Sequence, residues 1–262
     1  MTTLIETRHV SKSFGEFRAL DDVSIAIAAG ELVSVIGPNG AGKTTLVNLL
    51  TGLLAPTAGE VLFMGRSIAG VGPVRLADAG LARSFQLIAI FPQLTVRETI
   101  CTALISRQRK RWRLWTPFAA DAQMTARALE VARIFGLDRR FDTAAAALAQ
   151  GEKKLLDVAS AFALEPQLIL LDEPTSGVST ADKHAIMEIL IAAGRKAGVQ
   201  GIVLVEHDMD LVAAYSSRII AFSGGKVLAD LPPDRFFADA ALIDAVVGAR
   251  HASSYQRTRE TR

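Results

Sequence analysis

The chain has 262 residues, half of them hydrophobic and 21% charged, enough to bury the core of one large domain with room for a subdomain. A net charge of +2 gives no global attraction toward nucleic acid, although basic residues cluster in RQRKRWR (107–113) and RTRETR (257–262). One cysteine, Cys101, excludes an internal disulfide, and its apolar neighbours predict a buried thiol in a reducing compartment.

The opening MTTLIETRHV has no basic region ahead of an apolar stretch, so no signal peptide is expected. Strand-like text follows in LIETRHV, VSIAIAAG and ELVSVIG, and the last run passes through GPNGAGKTT into an apolar-periodic helix, TLVNLLTGLL. VLFMG (61–65) and LARSFQ (81–86) read as short strands. Thr95 and Glu98, three apart, form a capping-box signature for a helix start. From there to about residue 165 the pattern predicts helix throughout, including QMTARALEVARIFGL, which ends at a glycine.

LILLDEP (168–174) then reads as a buried strand and 180–198 as a helix, with Ile186, Ile189, Leu190, Ala193 and Ala197 on one face. A second capping box is predicted at Ser179 and Asp182. GIVLVEH predicts a further strand, DMDLVAAY a helix, and RIIAFSGGKVLADL a hairpin turning at Gly224-Gly225. Continuous apolar strands alternating with helices predict an α/β fold with a parallel sheet covered on both faces. Residues 86–165 interrupt it as an inserted helical subdomain, flanked by core segments 1–85 and 166–250 in a single domain of residues 1–250. Residues 251–262 read as a disordered tail. No run reaches the roughly eighteen apolar residues of a spanning helix, so a soluble, cytoplasmic chain is expected.

Gly37, Pro38, Asn39, Gly40, Ala41, Gly42, Lys43 and Thr44, followed by Thr45, satisfy every fixed position of G-x-x-x-x-G-K-[ST], the P-loop. Its glycines let backbone amides turn toward phosphate oxygens, and the following helix aims its N-terminus at the same anion. Lys43 would reach the β- and γ-phosphates of ATP, and Thr44 would place its hydroxyl on Mg²⁺. Asp172, ending an apolar strand, lies at the sheet edge where α/β proteins bind ligands, positioned to hold hydrated Mg²⁺. Glu173 is placed to act as general base on the attacking water, and His207, ending another buried strand, to face the γ-phosphate. At Gln86 two readings stay open: an amide bridging Mg²⁺ and water, or a helix cap.

GPNGAGKTT, RSFQ, LILLDEPTSG and VEHD occur in the order found in ABC-transporter ATPases, and the resemblance spans residues 4–249. It implies an ABC cassette: a parallel-sheet core, an N-terminal antiparallel β-subdomain and the inserted helical subdomain. It also implies that Phe14 stacks on adenine. LAQGE (148–152) corresponds to the family's LSGGQ signature, which binds the γ-phosphate held by the opposite subunit of a dimer, so Ala149, Gln150, Gly151 and Glu152 become nucleotide-binding residues. Physically, Gly151 near a helix start leaves amides and a positive dipole end facing an anion.

Two departures stand out. Ala149 and Gln150 replace the family's serine and second glycine, and Ser179 stands where the family carries an aspartate. Losing a hydroxyl bond to a charged phosphate costs about 1.5–3 kcal/mol, or roughly 10- to 150-fold in rate. The resemblance therefore implies a competent site on this chain's own P-loop and a weaker one where it lends LAQGE, and so favours a different chain as partner.

VEHDMDLV, the EPTSGVS spacing, the closing DRFFADAALIDAVVGA and the insertion at 105–121 resemble ATPases of the branched-chain (hydrophobic) amino acid uptake family, whose relatives import urea and short amides. Lipopolysaccharide-export ATPases share the tail but not the insertion and rank second. The resemblance implies a second ABC ATPase subunit, two membrane permease subunits and an external solute-binding protein, at the cytoplasmic face of the inner membrane. For RQRKRWR the readings are a solvated basic face or a contact with lipid headgroups or the permease, with nucleic acid least favoured. A ribosome- or DNA-acting ABC protein would bring two cassettes or a long coiled coil, and a GTPase switch would bring N-K-x-D; the sequence has none of these.

Overall fold

Alternating burial begins at once in the computed structural model, which describes residues 2–84, 91–107 and 121–247. Strand β1 (Thr3–Phe14) and strand β2 (Phe17–Ala28) form an antiparallel hairpin whose last pair is Phe14 with Phe17. Both strands outrun the stretches expected from sequence, because cross-strand pairing carries the polar SKSF segment where hydrophobic patterning alone does not. Strand β4 (Ala58–Phe63) pairs with β1 and the short β5 (Arg66–Ser67) with β4, giving a four-stranded antiparallel sheet in the order β2-β1-β4-β5.

One compact unit comprises Met1–Pro73 with Gly201–Arg262, and the other Val74–Gln200. In the first, β3 (Leu32–Ile36) lies between two parallel neighbours, β8 (Gly201–Val205) and β9 (Arg218–Ser223). β10 (Lys226–Leu231) returns antiparallel through Gly224-Gly225, both at positive φ as the predicted turn requires. Helix α1 (Lys43–Leu50) follows β3, and α7 (Met209–Tyr215) follows β8. α7 packs with α8 (Pro233–Phe236) and α9 (Ala240–Val247) over Ile36, Ile219 and Ala221, around the edge-to-face rings of Phe236 and Phe237. Arg218 forks Nε and Nη2 onto the two oxygens of Asp230 and reaches Glu31 with Nη1, and these carboxylates hold its guanidinium charged well beyond ordinary pH.

In the second unit α2 (Pro73–Asp78) leads to β6 (Leu81–Arg83), which pairs in parallel with β7 (Leu168–Asp172). Helices α3 (Val96–Arg107), α4 (Ala122–Ile134) and α5 (Gln150–Phe162) follow β6 in the chain, and α6 (Thr180–Lys196) follows β7. The block expected to be helical to residue 165 is not continuous. Gly136, at φ +68°, ends α4, and residues 138–147 hold only two 3₁₀ turns. That stretch instead runs back over the start of α3, where the Val96 and Arg97 amides donate to the Thr143 and Phe141 carbonyls. Small, non-periodic residues such as AAAALA satisfy helix propensity without requiring a helix. On α6 the buried face is Ile186, Met187, Leu190, Ala193 and Gly194; Ala197 is exposed and Ile189 only half-buried, because the packed stripe is centred closer to Met187.

Cys101 is buried on α3, and burial pushes its thiol up to about 11. Among the described residues no helix is long and apolar enough to cross a membrane. The tail 248–262, most of the 105–121 insertion and most of the basic run 107–113 lie outside the described residues.

The capping box at α3 forms as predicted: Glu98 accepts the Thr95 amide at 2.8 Å and its hydroxyl at 2.9 Å, while the Glu98 amide donates to the Thr95 hydroxyl at 3.2 Å. At α6 it does not. Ser179 caps the helix in position, but its hydroxyl donates to Asp182 and the Asp182 amide goes to the Ser179 carbonyl, so the two side chains satisfy each other. The Thr95 amide, and then its hydroxyl, hold Glu98 below the usual carboxylate range. A carboxyl lowered by folding stabilises above its unfolded pKa and loses that contribution as pH falls. Thr95→Ala should therefore cost about 1 kcal/mol at neutral pH in urea unfolding, with the gap to wild type shrinking in acid as Glu98 protonates.

Candidate nucleotide site

Between β3 and α1 the chain turns tightly, and two of its glycines are fixed by contact. A Cβ on Gly37, at φ +150°, would lie 2.4 Å from the Phe222 carbonyl oxygen at the end of β9. One on Gly42, at φ +102°, would meet the Ala19 carbonyl oxygen and Leu20 Cδ2, each at 2.7 Å. Lys43 is buried and folds back over the loop, its Nζ donating to the Gly37 carbonyl at 2.6 Å and the Pro38 carbonyl at 3.0 Å. Pro38, Asn39, Gly40 and Thr44 are exposed, so the loop presents its outer rim and the first amides of α1, which have no intrahelical acceptor. A glycine-built rim with a buried ammonium at its centre is an anion cradle that fits a polyphosphate.

Phe14 ends β1 about half exposed, and Lys12 Nζ lies 5.2 Å from its ring centroid while donating to the Ala55 carbonyl at 2.8 Å. His207 is exposed just beyond β8, on the edge where β3 also ends. The turn that carries it is held by buried Glu206, whose Oε2 accepts the His207 amide at 2.9 Å and the Asp208 amide at 3.3 Å.

In the second unit Asp172 ends β7 buried, and Arg83 of β6 donates to its Oδ2 at 2.7 Å; both side chains are almost fully enclosed. The Asp172 amide approaches Ser84 Oγ at 3.4 Å, and the Ser84 amide donates to the Leu170 carbonyl, tying the end of β6 to this acid. Glu173 follows in the left-handed region, at φ +48°. Gln86, three residues beyond Arg83, lies outside the described residues.

The LAQGE segment starts α5 at Gln150, with Ala149 as its cap and both exposed. Ala149 has no hydroxyl, so half the capping box remains: Glu152 accepts the Ala149 amide at 2.9 Å. Gly151 is not demanded by packing, since its missing Cβ would meet only Ile186 Cδ1, at 3.8 Å.

A sequence model of the ABC transporter family matches residues 20–176, from within β2 through the acidic strand and the turn after it. The chain belongs to the ABC transporter family. The high-affinity branched-chain amino acid transport ATP-binding protein LivG of Escherichia coli is 33% identical over 252 residues, covering 94% of this chain and 98% of LivG. A hemin import ATP-binding protein, HmuV of Thermobifida fusca, is also 33% identical, over 98% of this chain and 87% of its own. The ADP conformation of the ATP-binding cassette MJ1267 of an ABC transporter superposes with a TM-score of 0.82 at 28% identity, covering 94% of this chain and 98% of that one. As a member of this family the chain is a nucleotide-binding ATPase.

This ABC ATPase carries two site-supporting residues that sequence reading passed over. Arg83 and Glu206 stand inside quoted motifs, RSFQ and VEHD, but nothing in the spacing announces what they hold. Their signal is a charge embedded in an otherwise apolar strand, which demands a partner. Each unit offers a hard oxygen of the kind Mg²⁺ takes: the exposed Thr44 hydroxyl in the first and the Asp172 carboxylate in the second. Removing one member of a buried ion pair strands the other. Arg83→Ala should therefore lower unfolding free energy by about 3–5 kcal/mol in denaturant titration, far more than a surface arginine would.

Proposed function

We propose that this ATPase powers an importer of branched-chain or other hydrophobic amino acids, or of urea or short amides, through partner permeases. The support for this solute class is the resemblance carried by the closing DRFFADAALIDAVVGA and the 105–121 insertion, together with the LivG likeness. The HmuV likeness is just as close in identity, so the assignment of solute rests on those segments rather than on overall identity. The assembly would comprise a second, different ABC ATPase subunit, two permeases and an external binding protein, on the cytoplasmic face of the membrane. The basic run 107–113 would lie toward anionic lipid headgroups.

The chemistry follows from the residues. Phe14 would stack on adenine with the ring face not taken by Lys12. The rim from Gly37 to Thr45 would hold the phosphates, with Lys43 leaving the loop carbonyls for the more strongly charged phosphate oxygens. Thr44, Gln86 and Asp172 would hold Mg²⁺, which when bound neutralises charge on the phosphate oxygens. Glu173 would take the proton of the attacking water, and His207 would hydrogen-bond the γ-phosphate. Ala149, Gln150, Gly151 and Glu152 would address the nucleotide of the partner subunit. With its serine lost, that contact leans on the amides of α5, which is consistent with a glycine at 151 that packing does not require.

The observation that carries this reading is the glycine-built cradle closed by buried Lys43. Its test is Glu173→Gln. The variant should bind ATP with near-native affinity in fluorescence titration, while phosphate release falls by about 10²–10⁴. Normal turnover would remove Glu173 from the base role.

A further inference from the structure

Glu173 is held in a conformation that its own sequence opposes. It is a non-glycine residue at φ +48°, a left-handed conformation that crowds an L side chain's Cβ against the following carbonyl. It also precedes Pro174, and a residue before proline is steered toward extended backbone. The peptide that follows it has no N–H, because the next nitrogen is proline's. Only the Glu173 carbonyl can therefore anchor that peptide plane.

Two donors meet that carbonyl. The Ser176 amide donates at 3.1 Å, closing the turn from within, and Lys154 Nζ donates at 3.3 Å from helix α5. Lys154 is only 5% exposed, an ammonium removed from water whose described hydrogen bond ends on this backbone oxygen. Burying a charge is expensive, and a surface-seeking lysine at this position would take its donor away from the carbonyl. Lys154 stands two residues beyond Glu152, so the helix begun by LAQGE supplies the second anchor.

We propose that Lys154 is a positioning residue for the hydrolytic step: by donating to the Glu173 carbonyl it fixes the left-handed peptide and so aims the Glu173 carboxylate. The inference rests on the reading of Glu173 as general base. Lys154 touches neither nucleotide nor water in this role, and its effect is confined to turnover.

The test is a kinetic comparison of the full-length chain with Lys154→Met, Lys154→Arg, Glu173→Gln and the Lys154→Met/Glu173→Gln double variant. Lys154→Met keeps the length of the side chain and removes the donor. Its kcat should fall roughly 10- to 100-fold, as displacement of a reacting group by about an ångström does, with ATP affinity within about twofold. Lys154→Arg, which keeps a cationic donor, should recover most of the loss. In the Glu173→Gln background Lys154→Met should lower the residual rate no further, because there is no base left to aim. If Lys154→Met does not fold, Lys154→Gln serves in its place.

Unchanged kcat in Lys154→Met, with Glu173→Gln inactive, overturns this inference and leaves the base reading standing. Parallel losses of ATP affinity and kcat, or an additive loss in the double variant, would make Lys154 merely structural and also overturn it. Normal turnover by Glu173→Gln would remove the base reading, and the inference with it.

Discussion

A polyphosphate can be surrounded by peptide amides only where the chain turns without β-carbons in the way, and here that requirement is written into packing as well as into the loop. Gly37 leaves β3 so close to the end of β9 that any side chain would collide with the Phe222 carbonyl, and Gly42 enters α1 against Ala19 and Leu20 of β2. Both glycines are thus demanded by close neighbours within their own unit. Because β8 and β9 run parallel to β3, their ends share one edge. That parallelism places His207 on the edge that carries the loop, with Glu206 buried beneath to hold the turn.

The acidic half follows a different rule. Asp172 and Lys154 are buried charges, and each has a hydrogen-bonded partner: Arg83 for the carboxylate, the Glu173 carbonyl for the ammonium. Replacing buried pairs with apolar residues is often neutral or stabilising, so such pairs are poor evidence of a need for stability. They are better understood as fixing geometry. Arg83, the last residue of β6, engages Oδ2 of Asp172 at the end of β7. Lys154 fixes the backbone of the residue that would take the proton.

How far all this could be seen in the sequence depended on the range of the interaction. The glycine turn between β3 and α1 was fully legible, because its motif fixes residue types at adjacent positions. So were β7, β8 and the β9–β10 turn, whose apolar runs and paired glycines are local signals. The length of the β1–β2 hairpin was not, since Lys12, Ser13 and Arg18 are held by cross-strand pairing rather than by burial. Nor was the break after α4, where alanine-rich text permits a helix that tertiary hydrogen bonds to α3 replace. Arg83 and Asp172 are 89 residues apart, and only the pairing of β6 with β7 brings them together. Ser179 kept its capping position but gave its hydroxyl to Asp182, a choice that spacing cannot reveal.

Everything proposed for this ATPase depends on the loop after β3 being the seat of the ATP phosphates, with Lys43 turning from the Gly37 and Pro38 carbonyls to the anion. The most direct measurement is equilibrium binding of ATP, by calorimetry, to the native chain and to Lys43→Ala. Loss of one charged hydrogen-bonding group should weaken binding by roughly 10- to 150-fold, about 1.5–3 kcal/mol, with the fold intact by circular dichroism. Equal affinity in the two proteins would contradict the account, because the phosphates would then lie elsewhere.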